Sequence, residues 1–127
     1  MFSHVMLGAD DIAAAKRFYD ATLGALGVPE GQVDTRGWLS YAHNGGRFLI
    51  SRPRDGEPAY GANGGTLGFL AASCDEVDAW HAAGIANGGT SIEDPPGERC
   101  PPDGRVLYLA YLRDPAGNKL CGYYRVS

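Results

Sequence analysis

The sequence predicts an α+β domain built from two tandem modules, each a strand, a helix and then antiparallel strands. Three observations predict it. The first is a repeat: His4 lies fourteen residues before Phe18, and Thr66 lies fourteen before Trp80, each pair set in a strand-like run followed by a polar cap and an amphipathic stretch. The second is helical periodicity, with apolar residues returning every three or four positions after each cap. The third is an Asn44-Gly45 turn between two apolar runs, which marks a hairpin because both residue types tolerate positive φ. A repeat fixes architecture before any other feature does. Neither half buries much core alone, whereas 127 residues together bury a useful fraction of their surface.

The elements follow in order. Residues 2–8 form an apolar-rich strand. Asp10 or Asp11 caps the helix after it, because a carboxylate accepts from free N–H groups of a first turn. Ile12, Ala15, Tyr19, Leu23 and Leu26 make that helix's buried stripe, and Gly27, Val28 and Pro29 end it. Strands over Trp38–His43 and Arg47–Ser51 flank the hairpin turn. Module one therefore spans about residues 1–54, and a Pro- and Gly-rich linker spans about 55–64. Module two, about 65–127, opens with a strand over residues 66–72. Ser73 and Glu76 match a capping box, and their helix runs to about Ala86 before Asn87-Gly88-Gly89 stops it. A loop rich in Pro and Gly leads through Pro95 to Gly104. Two long strands, Arg105–Arg113 and Lys119–Val126, close the chain around the turn Asp114-Pro115-Ala116-Gly117-Asn118.

Charge and composition exclude several roles. The net charge is −4 and the eleven Lys and Arg residues are scattered, so no phosphate-binding surface and no nucleic-acid partner is expected. No run approaches the roughly twenty apolar residues of a membrane span. With a strand-like run almost at the start, no signal peptide is expected. Cys74, Cys100 and Cys121 are an odd, widely spaced set, which suits a reducing cytoplasm better than a disulfide framework.

Several segments resemble the glyoxalase I, bleomycin-resistance and extradiol-dioxygenase (vicinal oxygen chelate) superfamily. They are His4-Val5-Met6-Leu7 with Asp11-Ile12 and Phe18-Tyr19, then Val77 to Ala83 with a Gly-Gly after it, and above all Tyr111 to Leu120 around Asp114-Pro115-Ala116-Gly117-Asn118. The resemblance implies paired βαβββ modules whose curled mixed sheets enclose a cleft, within one chain or across a dimer. It also implies a homodimer, which free sheet edges would favour. In metal-using members a divalent ion sits in the cleft, held by a His on the first strand and a carboxylate on the last strand of each module. Imidazole and carboxylate suit Zn, Ni, Fe or Mn, and such an ion acts as a Lewis acid toward adjacent substrate oxygens. Of the implied ligands only His4 is present. The second His falls on Thr66, one carboxylate falls on Cys121, and the other falls near Leu49 or Ile50, where residues 47–51 contain no acid. No resident cofactor is therefore expected, and a divalent metal is the alternative.

The candidate ligand-binding residues are His4, Thr66, Tyr41, Tyr111, Cys121 and Tyr123. His4 is also the candidate catalytic residue, since imidazole titrates near neutrality and serves as a general base. Its plain alternative is a polar strand-end contact. A free Cys in an alternating strand is usually a small buried hydrophobe, so Cys121 has both readings. Strand alternation puts Lys119, Cys121 and Tyr123 on one face and turns Leu120 toward a helix. Arg47, Arg52, Arg99 and Arg113 are candidates to hold an anionic group. His43 reads as solvated, His81 as structural, and Asp114 as the organiser of its own turn. The leading expectation is a small-molecule binder with a degraded metal site and an aromatic cleft. The alternatives are a metal-dependent lyase, isomerase or dioxygenase of glyoxalase type, and a structural or regulatory interaction module.

Overall fold

Helix formation starts where the sequence supplies caps. In the computed structural model, which describes residues 1–127, the Asp11 carboxylate accepts from the Ala14 N–H at 2.9 Å and opens α1 (Ile12–Gly24). The helix stops at Gly24, three residues short of Gly27, and Leu26 closes a tighter turn onto the Leu23 carbonyl. Ser73 opens α2 (Cys74–Ala86) by accepting from the Glu76 N–H at 3.1 Å. The Glu76 carboxylate returns the favour one residue early, to the Ala72 N–H at 3.1 Å.

The first sheet holds β1 (Val5–Gly8), β2 (Gln32–Val33), β3 (Leu39–His43) and β4 (Gly46–Ser51) in the order β1-β4-β3-β2. The β3–β4 hairpin turns on Asn44 (φ 49°) and Gly45 (φ 82°), as the dipeptide requires. The second sheet holds β5 (Leu67–Leu70), β6 (Thr90–Ser91), β7 (Gly97–Arg99), β8 (Leu107–Arg113) and β9 (Lys119–Arg125). Its order is β5-β9-β8-β6, with β7 also on β8. In each sheet the opening strand runs parallel to the closing one, β1 to β4 and β5 to β9, and every other pairing is antiparallel. The modules are thus two α+β units of βαβββ order, the second strand of module two being broken into β6 and β7. The loop expected over Pro95–Gly104 yields β7, because three residues before Cys100 find ladder partners on β8.

One core serves both modules. Fifteen buried residues from both halves form a single cluster that includes Phe18, Tyr19, Trp80, Leu112 and Leu120. Phe18 joins the expected stripe of α1 and is fully buried. The helices meet at Gly84, where an added Cβ would lie 3.2 Å from Phe18, 3.3 Å from Thr22 and 2.3 Å from Leu112. Phe48 of β4 and Phe69 of β5 meet edge to face at 5.5 Å across the seam.

The closing turn ties the modules with polar contacts. Asp114, buried, accepts from the Tyr19 hydroxyl at 2.5 Å, from the Asn118 amide side chain at 2.9 Å, and from the backbone N–H groups of Ala116 and Asn118 at 3.0 and 2.8 Å. Asn118 in turn donates to the Gly8 carbonyl at 3.0 Å. Burial, then the neighbouring Asp114 charge, pushes the Tyr19 hydroxyl well above its ordinary pKa, so it remains a proton donor. The turn expected to satisfy only itself therefore also fastens α1 and β1.

Candidate functional site

Each sheet has one face on the shared core and one face turned away. In the first sheet Val5, Leu7, Leu39, Tyr41, Phe48 and Ile50 share the core side, by register and by burial. Met6 pairs with Leu49 and Leu49 with Ser40 on the other side, and alternation carries His4 to that open face. His4 is exposed there, with its Nδ1 2.8 Å from the Ser3 hydroxyl.

In the second sheet Leu112, Leu120 and Gly122 face α2, and the open face carries the opposite residues. Leu107, Leu109 and Cys121 are buried into an apolar floor, with Tyr111 and Tyr123 packed against it. Register sets Tyr111 against Cys121, Leu109 against Tyr123 and Gly68 against Cys121, so the face expected for Lys119, Cys121 and Tyr123 is the open one. Thr66, just ahead of β5, joins it by alternation with Gly68 and is exposed. No residue of the first module belongs to this floor.

Four of the six candidate ligand-binding residues, Thr66, Tyr111, Cys121 and Tyr123, thus share one surface. His4 sits on the other open face. Tyr41 does not join either set: its hydroxyl donates to Asp20 at 2.7 Å and its ring is in the core. Burial, then that carboxylate, raises the Tyr41 pKa. An acceptor twenty-one positions away in sequence decided its side, and strand periodicity carries no sign of it. The ring borders an apolar groove of about 470 Å³ at the seam of the modules, lined also by Leu23, Leu26, Phe48, Phe69 and Leu70. That groove opens on the core side of the sheets and includes neither His4 nor Cys121.

The donors on the open faces do not make a metal centre within the chain. The positions implied for four ligands hold His4, Leu49, Thr66 and Cys121, and nowhere do three His, Cys, Asp or Glu side chains converge to hold an ion. Cys121 is a poor thiolate: burial pushes its pKa up, more than Tyr111, Lys119 and Arg99 pull it down. Tyr111 is raised too, first by burial and then by the neighbouring Cys121, whose thiol donates to the Gly122 carbonyl at 3.5 Å. Both groups are therefore protonated at neutral pH and offer hydrogen bonds rather than charge.

Charge on the second open face comes from elsewhere. Lys119 pairs with Glu93 at 3.0 Å and lies 5.1 Å over the Tyr111 ring. Arg99 enters from β7, directly across from Leu107. His81, by contrast, is packed in α2 beside Ser91 at 2.9 Å, and burial lowers its pKa against the pull of Asp78, which fits its structural reading.

Comparison with known proteins agrees with this architecture. The family model of the glyoxalase/bleomycin resistance protein/dioxygenase superfamily matches residues 1–121. A crystal structure of a glyoxalase/bleomycin resistance protein from Albidiferax ferrireducens T118 is 53% identical, with a TM-score of 0.93 over 98% of this chain and 99% of that one. Lactoylglutathione lyase from Agrobacterium tumefaciens is 25% identical, with a TM-score of 0.62 over 97% and 92% of the two chains. A glyoxalase-related enzyme from Fulvimarina pelagi is 20% identical, with a TM-score of 0.70 over 97% and 86%, and shares the fold. No curated protein matches the sequence. No helix is long and apolar enough to cross a membrane. With a family model covering nearly its whole length and two βαβββ units in the expected order, the chain belongs to the glyoxalase/bleomycin resistance protein/dioxygenase superfamily.

Proposed function

We propose that the protein binds a small molecule without a metal, on the aromatic open face of the second sheet. The observation that carries this reading is the apolar floor of Leu107, Leu109 and Cys121, packed under the half-buried rings of Tyr111 and Tyr123 on the face of the sheet turned away from α2. Aromatic rings over an apolar floor, with a few hydrogen-bond donors at the edge, suit a flat or apolar ligand. Thr66, Tyr111, Cys121 and Tyr123 are its contacts. His4 reaches the same ligand only from a second copy, because its own face and the Cys121 face both point away from the core they share. A homodimer that lays one face over the other makes the cleft, with His4 as its polar or basic group.

A second reading, a metal-dependent lyase of glyoxalase type, draws support from the likeness to the lactoylglutathione lyase. Elemental analysis of protein purified from metal-supplemented medium tests the choice. The expected result is no stoichiometric Zn, Ni, Fe or Mn. About one equivalent per chain, lost in His4→Ala, would establish the second reading instead.

A further inference from the structure

Three cations on the open face of the second sheet, Arg99, Arg113 and Arg125, have no side-chain carboxylate partner, and Arg99 is the one held by the most carbonyls. Lys119 is paired with Glu93, and Arg105 with Asp103 at 2.7 Å. Arg113 bends to the Gly117 carbonyl, and Arg125 to the carbonyl of Ser127. Arg99 differs from the paired cations. No carboxylate lies within ion-pair distance of it. Its guanidinium instead donates to three backbone carbonyls, Glu98 at 3.3 Å, Asp94 at 3.4 Å and Pro95 at 3.0 Å. These carbonyls fix the side chain without cancelling its charge, and its Nε–H has no protein acceptor. A guanidinium is always protonated and is less strongly hydrated than an ammonium, so it gives up water readily to an oxyanion.

Its position relates this charge to the apolar floor. Arg99 stands across from Leu107, and Gly97 across from Leu109, on the same strand pair. The guanidinium folds back over Gly97, where an added Cβ would meet its Nη1 at 3.4 Å. It therefore lies at the margin of the Leu107–Leu109–Cys121 floor. Tyr111 is close enough to sense both Arg99 and Cys121. A fixed cation, a phenol donor and a dry floor thus occupy one surface.

From this arrangement we infer that the ligand is an amphipathic carboxylate, its anionic end on Arg99 and its apolar or aromatic body over Leu107, Leu109 and Tyr123. The inference rests on the binding reading given above and narrows it to one chemical class. A neutral aromatic would leave the Arg99 Nε–H to water. An aromatic cation would meet Arg99 as a like charge.

The test uses 2-naphthoate and its neutral isostere 2-naphthamide, titrated into the full-length protein by calorimetry. Naphthoate should bind at least tenfold more tightly. Arg99→Gln should erase that difference, while Arg99→Lys, which keeps the charge, should retain part of it. In two-dimensional NMR the signals of Leu107, Leu109 and Tyr111 should move on titration. Equal affinity for the two probes, or a preference that survives Arg99→Gln, would overturn the carboxylate assignment and leave the binding reading standing. Shifts at Leu26 and Phe69 in place of Leu109 would put the probe in the seam groove and reject the site. Absence of binding by either probe at millimolar concentration would remove the binding reading and this inference with it.

Discussion

At the scale of single residues, Asp114 has the most consequence for stability. It satisfies four donors from two modules, three of them in its own turn and one on α1. Its removal would leave the Tyr19 hydroxyl and the Asn118 amide buried without an acceptor, and a stranded buried donor costs more than the net worth of its bond. Asp114→Ala should lower unfolding free energy by about 3 kcal/mol in urea titrations, with an unchanged denaturant slope. Asp103→Ala, which breaks only exposed contacts with Arg105, an ion pair and a bond from its backbone N–H, should leave the midpoint nearly unchanged. Similar midpoints for the two variants would show that the Asp114 network is not cooperative. The sequence exposed the turn through Asp-Pro-x-Gly-Asn, but not its reach: Tyr19 and Asp114 are ninety-five positions apart. Candidate site residues were legible to the same degree. Alternation on β9 placed Cys121 and Tyr123 together, whereas Tyr41 was lost to Asp20, a partner that local pattern does not reveal.

At the scale of elements, caps and turns were legible because their chemistry is local. Asp11, the Ser73–Glu76 pair and Asn44-Gly45 each act within a few residues of themselves. β7 was not legible, because the flanking prolines and glycines mark a loop while the ladder partners lie eight or more positions on, in β8. Contact between α2 and β9 is equally non-local and sets a sharp steric condition. A Cβ at Gly122 would stand 2.7 Å from the Trp80 ring, which is fully buried and has no room to retreat. Gly122→Ala should therefore destabilise by about 1–3 kcal/mol despite its better strand propensity. Thermal unfolding checks this, and a melting temperature equal to the parent's would mean that α2 rides more loosely on the sheet than its packing indicates. Gly68, the residue across from Gly122's neighbour Cys121, meets nothing within 4 Å and is the natural control.

At the scale of the whole molecule, the exposed edges of β1 and β5 dominate. Each is the last strand of its sheet, and Met6 and Leu70 on them are exposed at 37% and 76%. Bare edges beside apolar side chains favour pairing with another chain. Light scattering at micromolar concentration should report twice the single-chain mass, and a monomer mass would remove the shared cleft along with His4's part in it. The common core also bears on how the protein comes apart. Repeated units in an array fray one at a time. Here Phe18 is sealed by Gly84 of the other unit, and β1 is laced to the last turn through Asn118. Loss of either unit would bare the other's aromatic interior to water. The innermost amides of β4 and β9 should therefore trade their protons for deuterons through one global opening, with a single free energy, leaving no half-open state for a protease to find.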